Sequence, residues 1–141
     1  MAMLRTLICA FLLSLSSLSW AQSQQVGDLT VYHNTFNSSY LQPEIARSAG
    51  LVRGRTHGVV NIAVQRNGEP VDARISGTVT NLIQQITPLN FIRIQEGDAV
   101  YFVANYTAAQ RGLLRFEVQV QADDNSPVHS VRFQQDFHPD D

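Results

Sequence analysis

The residues best suited to chemistry lie close together, between Phe36 and His57. Arg47, Arg53, Arg55 and His57 fall within eleven residues that contain no acid, in a chain whose formal net charge is -2. A guanidinium donates two parallel N–H bonds to a carboxylate or phosphate. The cluster therefore predicts a surface for a small anionic ligand or for an acidic segment of an envelope protein. Just upstream, Asn37, Ser38, Ser39 and Tyr40 supply amide and hydroxyl groups beside an expected helix start, where free backbone N–H groups receive anions. Glu44 completes the candidate binding set. The same residues have a plainer use: Asn and Ser cap helices and satisfy their own backbone, and the arginines can balance Glu44 or the acidic C-terminus.

Other chemistries have less to work with. The chain holds no Gly-x-Ser-x-Gly elbow and no phosphate-cradling glycine loop, and it lacks lysine altogether. A Ser38 or Ser39 pairing with His57 is the arrangement through which a small enzyme would work, and it is the rival to a binding module. His33, His57, His129 and His138 show neither HxH nor HExxH spacing, so any zinc or copper site would have to be assembled by the fold, and no cofactor is expected. Glu96 and Asp98 flank Gly97 as turn residues do. Asn37-Ser38-Ser39 and Asn105-Tyr106-Thr107 match glycosylation acceptors, a three-residue motif that carries no weight by itself.

The first 21 residues explain much of what the rest lacks. Arg5 precedes the twelve apolar-rich residues Leu7 to Leu18, too short a stretch to span a bilayer comfortably, and Ser19-Trp20-Ala21 places small residues at -3 and -1 before Gln22. This predicts a cleaved export leader, a periplasmic location with secretion as the alternative, and no membrane span thereafter. Met1, Met3, Cys9 and Trp20 all fall in that leader, leaving a chain from Gln22 with no thiol, thioether or disulfide. Nine arginines against twelve acids remain, which argues against nucleic acid as a partner.

The elements that must position the cluster are strands. Val60, Ile62 and Val64 alternate with polar or small residues and run into Asn67-Gly68, a pair tolerant of positive φ. Ala73 to Thr80, Leu89 to Gln95, Ala99 to Thr107, Leu114 to Gln121 and Val131 to Phe137 follow, with Asp28 to Asn34 at the start. Ala99 to Thr107 is apolar on both faces, as a covered central strand is. About seven antiparallel strands in residues 22–141 predict a single all-β domain, an immunoglobulin-like sandwich without the Cys pair or core Trp of antibody domains, with a small barrel as the alternative. Phe36 to His57 breaks the pattern. Pro43-Glu44-Ile45-Ala46-Arg47, closed by Gly50, predicts one or two helical turns, with Tyr40, Leu41, Ile45 and Leu51 as a packing face.

The stretch from Phe36 through Pro43 to Ala46 resembles the signature of the bacterial family catalogued as domain of unknown function 4426, small exported proteins. Gly77-Thr78-Val79-Thr80-Asn81-Leu82, Glu96-Gly97-Asp98-Ala99-Val100-Tyr101 and Arg132-Phe133-Gln134-Gln135-Asp136-Phe137 resemble the same family in order. The resemblance implies an exported immunoglobulin-like protein and assigns no activity. The expectation is a periplasmic binding or protein-interaction module without catalysis. It would engage its partner through the 36–57 loop or a sheet edge, for which Gly58 to Gln65 and Val128 to Phe137 are polar enough on one face.

Overall fold

The computed structural model describes residues 22–108 and 111–139. The expected leader at 1–21 lies outside the described residues, as do Asp140 and Asp141. In chain order the elements are β1 (Gln22–Val26), β2 (Leu29–Asn37), a 3-10 turn (Ser38–Tyr40), α1 (Pro43–Ala49), β3 (His57–Arg66), β4 (Glu69–Pro70), β5 (Arg74–Thr80), β6 (Ile86–Leu89), β7 (Ile92–Glu96), β8 (Ala99–Thr107), β9 (Gly112–Gln121) and β10 (His129–Phe137).

The alternating patterns become two facing sheets. Val60, Ile62 and Val64 of β3 and Leu114, Phe116, Val118 and Val120 of β9 are all buried in one shared core. One sheet runs β1-β2-β3-β8-β7, with β4 hairpinned onto β3, and the other runs β10-β9-β5-β6. Every pairing is antiparallel. The series β2-β3-β8-β7 reproduces the ABED sheet of an immunoglobulin domain, and β10-β9-β5 the GFC sheet, with β6 in the place of C′. The chain is an all-β sandwich of that type.

Three details differ from the sequence reading. Gln22–Val26 adds a strand beside β2, and Glu69–Pro70 a two-residue one. The expected strand Leu89 to Gln95 is two strands on different sheets, with the crossing at Asn90-Phe91. Finally, β3 is no edge: it pairs with β2 on one side and with β8 and β4 on the other.

The Phe36 to His57 segment adds a partial third layer. Ala46 of α1 and Leu51 pack on Val59 and Val103, with Phe36, Leu41, Ala49, Ile92 and Ile94 around them. Those sheet residues point away from the main core, which is why β8 is apolar on both faces. Pro43 opens α1, and Gly50, at φ 72, closes it in the left-handed conformation that a side chain would strain.

Strand registers place the connections at two poles. Turns at 27–28, 67–68 and 97–98 and the loop 122–128 share one, where Gly27 meets His129 across the sheets. The insertion after β2, the β5–β6 loop and the β8–β9 connection share the other.

Candidate functional site

The insertion is held down by side chains that imitate backbone. Asn105, on the outer face of β8, accepts the Val52 N–H at Oδ1 (2.7 Å) and donates from Nδ2 to the carbonyls of Val52 and Gly58 (3.2 Å each). Ser38 is fully buried, and its Oγ accepts the Gly54 N–H (3.0 Å) and donates to the Gly54 carbonyl (3.3 Å). Arg53 donates from Nη2 to the Ser39 carbonyl (3.0 Å), and the Ala108 N–H reaches the Thr56 carbonyl (2.8 Å). Residues 52, 54 and 56 are thereby fastened in succession to β8, to the 3-10 turn and to the residue that follows β8.

This accounts for several predicted site residues. Asn37 donates to the His138 carbonyl (2.7 Å), tying the end of β2 to the chain beyond β10. Neither Asn37 nor Gln42, the residues that precede the 3-10 turn and α1, makes a side-chain capping bond, so the capping role expected for the Asn and Ser groups is corrected: Ser38 serves the return limb instead. His57 lies over Gly54, where a Cβ would stand 2.7 Å from its Nδ1, and that nitrogen is buried without a hydrogen-bond partner. Ser38 Oγ is engaged with Gly54, and no Ser38–His57 hydrogen bond forms through Nδ1.

Outward, the insertion presents a mixed surface. Tyr40 is 76% exposed, Ile45 51% and Val52 53%, so two of the four residues expected to pack, Tyr40 and Ile45, face solvent while Leu41 and Leu51 pack inward. Glu44 and Arg47 sit exposed in the first and last turns of α1, each on the side that the helix dipole favours. Arg53 and Arg55 are also exposed.

Clefts open elsewhere. One of about 600 Å³ lies between the β5–β6 loop and the start of β9, lined by Leu82, Ile83, Thr107, Ala108, Arg111 and Leu114 among others. Another, of about 450 Å³, lies over Thr80, Ile86, Arg115, Glu117, Arg132 and Gln134 on the outer face of the four-stranded sheet. Neither takes in any of the predicted site residues. Leu82 and Ile83 were legible as an apolar pair inside a turn, yet alternation gives such residues no assignment.

Two internal groups have shifted protonation, and so does the exposed Asp123, whose carboxyl is held below its ordinary range by a hydrogen bond from Ser126. Burial holds the His33 pKa below its ordinary 6.5, its ring stacked on Phe133 at 4.0 Å. Burial pushes the Tyr106 hydroxyl up to about 12, opposed by a hydrogen bond with Thr35. Among the described residues, no three His, Cys, Asp or Glu side chains gather as a metal site, and no helix is long and apolar enough to cross a membrane.

The family model for domain of unknown function DUF4426 matches residues 23–140. The chain belongs to this family. A DUF4426 protein of known structure from Pseudomonas aeruginosa PAO1 is 38% identical, with 86% of this chain and 97% of that one covered at a TM-score of 0.78. Beyond DUF4426, a copper-bound variant of FetP from uropathogenic Escherichia coli strain F11 shares the fold at 13% identity and a TM-score of 0.63, covering 84% of this chain and 95% of that one. FetP as isolated after recombinant expression in the periplasm is similar at 12% identity, covering 85% and 95%, with a TM-score of 0.62. No curated protein matches the DUF4426 chain.

Proposed function

We propose that this protein is a periplasmic, non-catalytic interaction module whose insertion between β2 and β3 is the face that meets a protein partner. One observation carries the reading: the insertion is fastened to the sheet by Asn105, Ser38 and a small core of its own, yet leaves Tyr40, Ile45 and Val52 exposed, as it does Arg47. A connection that only joined two strands would have no use for such rigid apolar display. Tyr and Arg are also the residue types that anchor protein contacts. Sequence supports the compartment through the leader at 1–21. The arginines, in a stretch from Ile45 to Gly68 without an acid, suit a partner whose contacting segment is acidic.

Crosslinking and pull-down from the intact envelope test this reading. The unaltered protein is expected to retain a discrete partner, and a Tyr40→Ser, Arg47→Glu double variant with an unchanged melting temperature is expected to lose it. Equal recovery by both, or no specific partner with either, contradicts the reading.

A further inference from the structure

The charges of the sandwich are sorted by pole. Asp28, Glu69, Asp72, Glu96, Asp98, Asp123 and Asp124 all lie in or beside the turns of one end. The arginines there are paired: Arg66 with Asp28, Arg74 with Asp124 and Arg93 with Asp72. The stretches 73–95 and 99–116, which run to the other end and back, contain no acid at all, and Arg111 and Arg115 stand at that end. Neither of these two makes an ion pair among the described residues. Among the described residues, the acids on that side are Glu44, within the insertion, and Asp136, near the end of β10, with Glu117 two residues along β9 from Arg115. Among the described residues, one pole is thus acidic and the other carries Arg111 and Arg115, which have no ion pair.

From that second pole projects a fixed apolar tip. Leu82 and Ile83 are 62% and 74% exposed, and Ile86, at the root of the same hairpin, is 68% exposed. The loop is not slack. Asn81 Oδ1 accepts the N–H groups of Ile83 (3.1 Å) and Gln85 (2.9 Å), its Nδ2 donates to Gln85 Oε1 (2.8 Å), and backbone bonds close the turn at Gln84 and Gln85. Arg111 lines the cleft behind the tip and Arg115 the one beside Ile86.

We infer that this pole docks on an anionic phospholipid surface. Leu82 and Ile83 enter the headgroup boundary, and Arg111 and Arg115 take lipid phosphates. Charge decides the occupant: an acid-free apolar tip backed by two guanidinium groups without an ion pair among the described residues, on a chain of net negative charge, complements a negatively charged bilayer, whose surface attracts basic side chains near it. Bare aliphatic side chains on a protruding hairpin suit insertion among acyl chains, whereas protein contacts are anchored by Trp, Tyr and Arg seated in pockets. The inference is independent of the partner face, which uses other residues.

Vesicle flotation tests it with the protein in its exported, leader-free form. Vesicles of phosphatidylglycerol mixed with phosphatidylcholine are expected to carry the protein upward, those of phosphatidylcholine alone to leave it behind, and added salt to weaken the effect. Leu82→Ser with Ile83→Ser, and separately Arg111→Gln with Arg115→Gln, should each reduce partitioning about tenfold. Arg74→Gln with Arg93→Gln, at the acidic pole, should leave it unchanged, with circular dichroism confirming that each variant folds. Three results overturn the inference: no partitioning into anionic vesicles, partitioning indifferent to the tip, or tip substitutions that alter sedimentation as an oligomer or binding to a protein without altering flotation.

Discussion

Gly58 shows how one residue type is dictated by a neighbour. It pairs with Tyr106 across β3 and β8, and a Cβ there would fall on the Tyr106 ring, which lies over the glycine and reaches Thr35. Gly58→Ala must displace a buried aromatic that also packs edge-on against Phe116 and Phe137. Overpacking of this kind costs about 1–3 kcal/mol, and a urea melt is expected to show a loss of that size. His33 carries a different signature. Because burial lowers its folded pKa beneath the unfolded value of 6.5, the unfolded chain binds the proton first as pH falls. The His33 contribution is therefore intact above 6.5 and declines below it until the folded group also titrates. In His33→Phe, which keeps a ring against Phe133, the fall in melting temperature on acidification should be shallower; an unchanged pH profile would show that another group controls it.

Elements were readable in proportion to how one-sided they are. β9 and the inner face of β3 alternate cleanly because one face meets the core and the other meets water or a polar layer. β1 is Gln-Ser-Gln-Gln-Val, a strand made by backbone pairing with β2 that no hydrophobic period announces. Between Leu89 and Ile94 the pattern fails for the opposite reason. Leu89 and Phe91 face the main core while Ile92 and Ile94 face the α1 layer, so apolar residues no longer report a single side, and the sheet crossing at Asn90-Phe91 is hidden. Within the insertion, the helix and its Pro and Gly boundaries were legible. The fastening of its return limb was not, since Asn105 lies 53 residues from Val52 and reads only as a glycosylation acceptor. Asn105→Ala should remove the bonds to Val52 and Gly58 while leaving the sandwich intact. Amide exchange around residues 52–56 is then expected to accelerate roughly tenfold, the equivalent of about 1.4 kcal/mol, with β9 unchanged; equal acceleration in both would mean that the insertion and the sandwich open as one unit.

At the scale of the whole molecule, the sandwich separates what it displays. The edge of β10 is partly occupied from within, since Gln24 donates to the Arg132 carbonyl (2.7 Å) and Asn37 to that of His138 just beyond the strand. β6 carries Pro88, which has no N–H to offer an added strand. The two edges of the four-stranded sheet thus offer less than the insertion does, and that favours the insertion over them as the partner face. The most direct measurement is site-specific photocrosslinking in living cells, with the reactive group placed at Tyr40 and, as the control, at Gln95 on β7. A discrete adduct from Tyr40 that is absent at Gln95 and lost on adding Arg47→Glu is the result expected. Adducts of equal yield from both positions, or none from Tyr40 in cells where the protein is exported and folded, would contradict the assignment of the insertion as the interaction face.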